Sequence, residues 1–278
     1  MDHIQIVEVG PRDGLQNEPN PVPTDVKIAF VEALADAGLE EIEVSSFVSP
    51  KWLPQLADAD EVFARIRRRP GVSYSALVPN ERGLERALRA KVDKIAVFTA
   101  ASETFNRKNV NASIAQTLAT CRAVVQQSPV PVRGYVSTAF WCPYEGRVAP
   151  ERVAVVVDAL FDLGCREISI GDTVGRAMPD DVEDLLQVLL ARHPARNFAM
   201  HFHDTGGQAI PNSLRADGLG VRRFDACTNG LGGCPYAPGA SGNVGTEALA
   251  RAFGSRVLVD FAKLEVAAQL IRQHVWKS

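Results

Sequence analysis

The sequence lacks the features that would direct this chain into a membrane or out of the cell. No apolar stretch approaches the roughly 20 residues that are needed to span a bilayer. The first residues, Met1–Gln5, carry neither a basic start nor an apolar signal core, and they run directly into a predicted strand. Charge of one sign is also scarce, because the net charge is -3 and no long run of like charges occurs. We therefore expect a cytoplasmic protein whose main partner is neither a membrane nor a nucleic acid.

Cysteine pairs and nucleotide-binding motifs are missing as well. The 5 cysteines form no Cys-x-x-Cys pair and are odd in number, which indicates reduced thiols and not a disulfide framework. The sequence has no thiolate cluster of the kind that holds a structural zinc ion. It also has no GxGxxG, P-loop or GxSxG pattern, so nucleotide-dependent redox chemistry, phosphoryl transfer and a serine hydrolase have no support.

What the sequence does contain is a regular alternation of strand and helix patterns. Eight strands are predicted, at Ile4–Val9, Glu41–Ser45, Ser73–Val78, Lys94–Thr99, Val132–Thr138, Glu167–Gly171, Phe198–His203 and Phe224–Thr228. Helices are predicted after them, at Asp25–Ala37 with Thr24 as its N-cap, Asp58–Arg68, Glu81–Ala90, Ile114–Gln127, Pro150–Leu163, Asp180–Ala191, Gln208–Leu219 and Val244–Phe253. A further helix is predicted at Asp260–Val275.

This alternation predicts the α/β class, because strands that alternate with helices form parallel sheets. The eight units and the 278 residues match a single (β/α)8 TIM barrel of about 250 residues with an additional C-terminal helix. We expect one catalytic domain over residues 1–278.

Several predicted strands carry polar side chains on one face only. Glu43 lies between Ile42 and Val44, and Arg133 follows Val132 in the same alternating manner. Side chains two apart share a face, and the apolar face should meet the helices, so the polar set should face the barrel lumen. Buried charges need partners, and we therefore expect Glu43 and Arg133 to belong to one charged network near the site.

Three groups of chemically active residues follow strand ends, where barrel enzymes carry their catalytic groups. They are Gly10–Gln16 after the first strand, His201–Asp204 at the seventh, and the glycine-rich segment Gly230–Asn243 after the eighth. The first, seventh and eighth strands are neighbours in a closed barrel, so these segments can converge. Asp13, His201, His203 and Asn243 then form a mixed N/O ligand set, which suits a divalent cofactor such as Mg²⁺ or Mn²⁺.

Seven segments resemble the hydroxymethylglutaryl-CoA lyase family of metal-dependent Claisen-type barrel enzymes. They are VEVGPRDGLQNE at 7–18, SSFVSPKW at 45–52, RGYVS at 133–137 with CPYEG at 142–146, ISIGDT at 168–173, HFHDT at 201–205 and GLGGCPYAPGASGN at 230–243. The likeness covers nearly the whole chain, and the loop around Cys234 is its most specific part. It implies a pyruvate carboxyltransferase or hydroxymethylglutaryl-CoA lyase-like domain and an acyl-CoA substrate. We also expect a homodimer, which no motif in the sequence specifies.

The resemblance implies a role for each matching position. The metal ligands match Asp13, His201, His203 and Asn243. The catalytic positions match Arg12, Cys234, His201, Asp172 and Glu43, and the substrate-binding positions match Arg12, Gln16, Asn109 and Arg133. Arg12 would face the thioester carbonyl and the developing enolate, and Cys234 would be the thiol of a mobile loop.

The implied chemistry agrees with these residue types. Cleavage of a 3-hydroxyacyl-CoA needs a base for the tertiary hydroxyl, and a cation lowers the barrier to its deprotonation. A fixed donor such as Arg12 stabilises the departing enolate, which a thiol or an imidazole then protonates. For 3-hydroxy-3-methylglutaryl-CoA the products would be acetyl-CoA and acetoacetate.

Other readings remain open at this point. The chain could be a lyase for a related 3-hydroxyacyl-CoA, a Claisen-type condensing enzyme or a catalytically silent binding barrel. Members of the family usually have Tyr at the position of Gly206, and we expect its loss to enlarge or reshape the acyl pocket.

Overall fold

Eight parallel strands close into a barrel in the computed structural model, which describes residues 2–233 and 242–275. The strands are β1 (Gln5–Glu8), β2 (Glu41–Ser46), β3 (Ser73–Leu77), β4 (Lys94–Ala100), β5 (Val132–Ser137), β6 (Glu167–Asp172), β7 (Phe198–Phe202) and β8 (Arg223–Ala226). Each strand pairs with its neighbours in sequence, and β8 returns to β1 in the register Gln5↔Arg223 to Glu8↔Ala226. The predicted (β/α)8 fold is confirmed.

Helices surround the barrel in the predicted order. They are α1 (Thr24–Asp36), α2 (Ala59–Arg65), α3 (Glu81–Arg89), α4 (Glu103–Val110), α5 (Ile114–Gln127), α6 (Pro150–Leu163), α7 (Pro179–Leu190), α8 (Ala209–Gly218), α9 (Thr246–Phe253) and the additional α10 (Phe261–Val275), which packs against α1. None of the helices in the described ranges combines the length and apolar character that a bilayer span requires.

Local signals explain several helix boundaries. Ser113 forms a capping box with Gln116 at the start of α5, and Gly164 ends α6 with a φ of 108°. The prediction of Thr24 as an N-cap was wrong. Pro23 occupies the cap position, Thr24 is the first helical residue, and its hydroxyl donates to Asp58 Oδ2 at 2.8 Å.

One α-helix and one β-hairpin were not predicted. Helix α4 is short, and Ser102 caps it by accepting from the backbone N–H of Phe105 at 3.1 Å. A small antiparallel hairpin pairs Trp141–Cys142 with Gly146–Arg147 after β5. Both lie on the side where the barrel strands end, so they shape the rim above the lumen.

The core separates an apolar outer shell from a polar lumen. Outward-facing residues such as Ile42, Val44 and Ile95 are buried against the helices. Ion pairs fill the base of the lumen, where Lys94 Nζ lies 2.8 Å from Glu41 and 3.2 Å from Glu167. Buried ions persist only when they are paired, and here each has a partner. The polar lumen that strand alternation predicts is therefore present.

The described cysteines are all free thiols. Cys121, Cys142, Cys165 and Cys227 are buried and unpaired with one another. Burial raises the pKa of Cys121 and of Cys165 to about 12, so both are protonated at neutral pH. For these four residues, the prediction of reduced thiols is confirmed.

Candidate active site

Three side chains with metal-binding atoms meet at the C-terminal end of the barrel. Asp13 lies in a short π-helical turn, Gly10–Gly14, after β1, whereas His201 lies in β7 and His203 directly follows it. Their ligand atoms lie within 4.8 Å of one another. Strands β1 and β7 both border β8, so closure of the barrel brings these residues together.

Asn243 adds a fourth donor to this cluster. It forms an isolated β-bridge with His203, and its Nδ2 donates to Asp13 Oδ2 at 2.9 Å and to the carbonyl oxygen of Leu231 at 3.1 Å. Asn243 Oδ1 and His203 Nδ1 are buried and have no hydrogen-bond partner among the described residues. Buried polar atoms nearly always have partners, so two unpaired ones beside Asp13 fit a bound cation. Oxygen and imidazole donors together suit a divalent ion with positions open to substrate.

Gly232 is required at the edge of this cluster. Its φ is +88°, and a Cβ there would lie 2.8 Å from Asn243 Nδ2 and 3.1 Å from the carbonyl oxygen of Asp13. A side chain at this position would therefore displace two of the four donors, besides adopting a conformation that glycine alone tolerates readily.

The charge distribution keeps the donors in their metal-binding forms. Burial alone would raise the pKa of Asp13, but the charges of Arg12, His201 and His203 hold it well below its ordinary value. Burial, together with the neighbouring His201, lowers the pKa of the His203 imidazole to about 4. At neutral pH Asp13 is an anion and His203 a neutral ring, which are the forms that coordinate metal.

Arg12 lines the pocket beside the cluster and is held from two sides. Its Nε donates to Glu43 Oε2 at 2.5 Å, and its Nη1 donates to Asp13. Its guanidinium carbon lies 5.2 Å from the centroid of the Tyr135 ring. Burial disfavours the charge on Arg12, but the two carboxylates outweigh it and raise its pKa further. The guanidinium is thus a fixed cation at the pocket wall.

Glu43 and Arg133 share Tyr135 as a partner, as expected for one charged network. The Tyr135 hydroxyl donates to Glu43 Oε2 at 3.2 Å, and the Arg133 guanidinium carbon lies 4.8 Å from the centroid of the Tyr135 ring. Glu43 is 1% exposed, and burial raises its pKa although the charges of Arg12 and Arg133 act in the opposite direction.

Four of the predicted site residues in the described ranges do not line the cavity: Glu43, Arg133, Asp172 and Asn243. Arg133 is 2% exposed, does not line the cavity and forms ion pairs with Asp225 and Glu167. The Asp172 carboxylate accepts from the backbone N–H groups of Arg176 (3.2 Å) and Ala177 (2.9 Å), and burial raises its pKa to about 6. A substrate contact by Arg133 and a catalytic role of Asp172 therefore stay predictions. Arg133 lies deeper in the lumen than the cluster, whereas Asp172 ends β6 and holds the turn that follows it.

Asp225 in β8 was not predicted, although it touches the cluster. Its Oδ2 lies 3.2 Å from His201 Nδ1, and its Oδ1 accepts from Arg133 Nη2 at 2.5 Å. The only signal in the sequence is an acidic residue between Phe224 and Ala226 in an apolar strand, where a buried charge needs a partner.

A cavity of about 380 Å³ opens above the cluster. Gln16 and Asn109 line it, as does Trp52, which is 83% exposed at the mouth. Gly206 does not line it, and a Cβ there would lie 2.9 Å from the carbonyl oxygen of Gly175. The expectation that the loss of an aromatic at Gly206 reshapes the acyl pocket stays a prediction. The predicted catalytic thiol, Cys234, lies outside the described residues.

A closed (β/α)8 barrel that carries an Asp–His–His–Asn donor set and a fixed arginine beside a cavity at its C-terminal mouth defines a barrel enzyme with a candidate metal centre. A family model described as HMGL-like matches residues 3–273. The chain belongs to this family.

Relatives and solved structures match this chain over nearly its whole length. The chain is similar to the cytoplasmic 3-hydroxy-3-methylglutaryl-CoA lyase of Rattus norvegicus, with 47% identity over 100% of this chain and 82% of the relative. A crystal structure of the HMG-CoA lyase from Brucella melitensis superposes with a TM-score of 0.96 at 47% identity and covers 99% of each chain. A structure of an HMG-CoA lyase from Acinetobacter baumannii in complex with coenzyme A and 3-methylmalate gives a TM-score of 0.93 at 38% identity, over 99% of this chain and 92% of that one.

Proposed function

We propose that this chain cleaves (S)-3-hydroxy-3-methylglutaryl-CoA to acetyl-CoA and acetoacetate by metal-assisted retro-Claisen chemistry. The observation that carries this proposal is the position of Arg12 at the pocket wall, next to four donors of which two, His203 Nδ1 and Asn243 Oδ1, are buried without a partner among the described residues. The full-length similarity to lyases of this substrate supports the same reaction.

The donor set would hold Mg²⁺ or Mn²⁺ through Asp13, His201, His203 and Asn243. A divalent cation supplies Lewis-acid stabilisation of negative charge on substrate oxygens. The remaining chemistry belongs to the chain itself. Arg12 presents a fixed positive charge where the enolate of the leaving acetyl thioester develops, and this arrangement needs no reorganisation during the reaction.

Proton transfer is proposed for Cys234, because His201 would hold the cation through Nε2 and Asp225 through Nδ1. Cleavage removes the proton of the 3-hydroxyl, breaks the bond between C2 and C3, and returns a proton to the enolate carbon. A thiolate can take the hydroxyl proton, and the resulting thiol can return it to the enolate carbon, so one group balances the step. Cys234 follows Gly232 and Gly233, so it lies close in sequence to the cluster edge.

Glu43 and Asp172 support this machinery in the proposal. Glu43 fixes the orientation of Arg12 through its Nε, and Asp172 holds the turn after β6 through two backbone N–H groups. The orientation of Arg12 therefore depends on Glu43, which does not line the cavity.

The mouth of the cavity is proposed to take the acyl-CoA. Gln16 and Asn109 offer amide groups to substrate, and Trp52 offers a large exposed apolar surface. A relative of this family has been solved with coenzyme A bound, which supports an acyl-CoA ligand. We also propose a homodimer and a cytoplasmic location, the latter because the described cysteines are all free thiols.

The decisive experiment is product analysis with a panel of 3-hydroxyacyl-CoAs. Purified protein is freed of metal with EDTA, reloaded with Mg²⁺ or Mn²⁺, and incubated with each thioester. We expect acetyl-CoA and acetoacetate from the 3-hydroxy-3-methylglutaryl thioester, and no turnover without metal. Faster cleavage of a longer branched thioester would replace the substrate and keep the reaction. Full turnover of the metal-free protein would contradict the metal site.

A further inference from the structure

The two histidines of the cluster differ in what surrounds Nδ1. His201 Nδ1 lies 3.2 Å from Asp225 Oδ2 inside the barrel. His203 Nδ1, in contrast, is buried and has no hydrogen-bond partner among the described residues. Nδ1 of His201 is therefore tied to the barrel lumen, which leaves its Nε2 for the cation, whereas Nδ1 of His203 is open to the cation.

Asp225 is a rigid anchor for that ring. It is 1% exposed and lies in register with His201 across the β7–β8 pair. Its Oδ1 accepts from Arg133 Nη2 at 2.5 Å, and its Oδ2 accepts from Ser169 Oγ at 2.9 Å. Donors from three different strands thus converge on one carboxylate, and its orientation is fixed before any ligand binds.

We propose that Asp225 is a positioning residue that holds His201 as the Nδ1–H tautomer. A carboxylate beside Nδ1 accepts a hydrogen bond from Nδ1–H, so the lone pair of the neutral ring lies on Nε2. His201 Nε2 lies 3.9 Å from Asp13 Oδ2, on the side where the cation would bind. A carboxylate behind a metal-binding histidine fixes its tautomer and orientation, and the loss of such a partner weakens metal binding about 10–100-fold.

The same geometry gives Arg133 a role other than substrate contact. Arg133 lies beneath the cavity, and its charge is shared between Asp225 and Glu167, which lies 3.1 Å from its Nε. Arg133 thereby keeps Asp225 ionised and oriented towards His201. This inference rests on the proposed metal-dependent lyase function, but it concerns the binding of the cation and can be tested without turnover.

A purely structural role for Asp225 makes a different prediction. If Asp225 only compensated the charge of Arg133, its replacement would lower stability and leave metal affinity unchanged. Glu167 would still pair with Arg133 in that variant, so the protein would keep one partner for its buried cation.

The first experiment compares Asp225→Asn with Ser169→Ala in metal-free protein. Asparagine is nearly isosteric, but its amide nitrogen can donate to Nδ1 and favour the wrong tautomer. Calorimetric titration with Mn²⁺ should show an affinity about 10–100-fold below that of the parent for Asp225→Asn. Ser169→Ala removes one donor to the same carboxylate and keeps the imidazole contact, so its affinity should stay within about threefold of the parental value. Circular dichroism serves to check that both variants are folded.

Turnover adds a readout that a structural role would not change. Asp225→Asn should regain activity as the Mn²⁺ concentration is raised, whereas a misfolded protein would not. A folded Asp225→Asn protein that binds Mn²⁺ within about threefold of the parent overturns the proposal. If the parental protein binds Mn²⁺ but cleaves no 3-hydroxyacyl-CoA, the proposed function fails and the role of Asp225 is still decided.

A second measurement needs no substitution in Asp225 and covers the case in which that variant does not fold. In protein labelled with ¹⁵N-histidine and loaded with Mg²⁺, long-range proton–nitrogen correlation spectra report the tautomer of each ring. The His201 signals are identified by their loss in His201→Gln. We expect a proton on Nδ1 of His201, and its absence there overturns the proposal.

Discussion

Replacement of Glu43 by Ala tests whether the charged lumen supports the site. Glu43 is 1% exposed and receives hydrogen bonds from Arg12 Nε at 2.5 Å and from the Tyr135 hydroxyl at 3.2 Å. Its removal leaves the charges of Arg12 and Arg133 facing Tyr135 from both sides. Breaking a buried pair by removing one partner costs about 3–5 kcal/mol. Since the free energy of unfolding of folded proteins is about 5–15 kcal/mol in total, the variant should fold and have a measurably lower stability.

The assay is urea unfolding followed by circular dichroism, with Glu61→Ala as the matched control. Glu61 also pairs with an arginine, Arg65, at 2.7 Å, but both side chains are about half exposed on α2. This surface pair should be worth less than about 1 kcal/mol. Glu43→Gln keeps an acceptor for Arg12 and should lose less stability than Glu43→Ala. If Glu43→Ala is no less stable than Glu61→Ala, the lumen network does not stabilise the fold and our reasoning about it is wrong.

Four further outcomes are expected. His203→Ala should nearly abolish binding of Mn²⁺ in a calorimetric titration, and unchanged affinity would remove His203 from the site. Cys234→Ala should slow single-turnover cleavage about 10²–10⁴-fold with metal saturating, and a rate within threefold of the parent would leave the thiol no chemical role. Burial raises the pKa of Glu8 to about 7, so its protonation stabilises the fold fully below about pH 4.5, and this stabilisation is lost as pH rises through 7. The free energy of unfolding of Glu8→Gln, relative to that of the parent, should therefore rise by roughly 3 kcal/mol over that range. A difference that does not change with pH would contradict this. Trp52→Ala should raise KM for the acyl-CoA with little change in kcat, while Trp141→Phe leaves both unchanged; equal effects would argue against a contact at the mouth.

Strand alternation predicted most of this fold because a barrel repeats one simple pattern eight times. The eight predicted strands all occur, with ends displaced by no more than a few residues. The missed helix α4 is short and polar, and its first turn depends on a cap by Ser102 that apolar periodicity does not report. Thr24 is a residue type that is common at N-caps, but its hydroxyl instead donates a tertiary hydrogen bond to Asp58.

The sequence predicted some residues of the candidate site and missed others, for a similar reason. Asp13, His201 and His203 lie in or directly after strands, and the order of strands in a barrel fixes which ends are neighbours. Asp225 was missed because its importance comes from an imidazole on the adjacent strand and not from any motif of its own. The position of Arg133 beneath the cavity was also not predicted. Strand alternation indicates which face of a strand a residue occupies, but it does not indicate how deep in the lumen the residue lies.

The contact between Asp13 and Asn243 has a consequence for the synthesis of the protein. The hydrogen bond from Asn243 Nδ2 to Asp13 Oδ2 joins residues 230 positions apart in the chain. Translation delivers the N-terminal part of a chain first, so Asp13 leaves the ribosome long before its partner exists. The four-donor set cannot assemble until residue 243 has emerged and β8 has paired with β1. A nascent chain therefore carries an incomplete donor set, and we expect the cation to be bound only after residue 243 has left the ribosome.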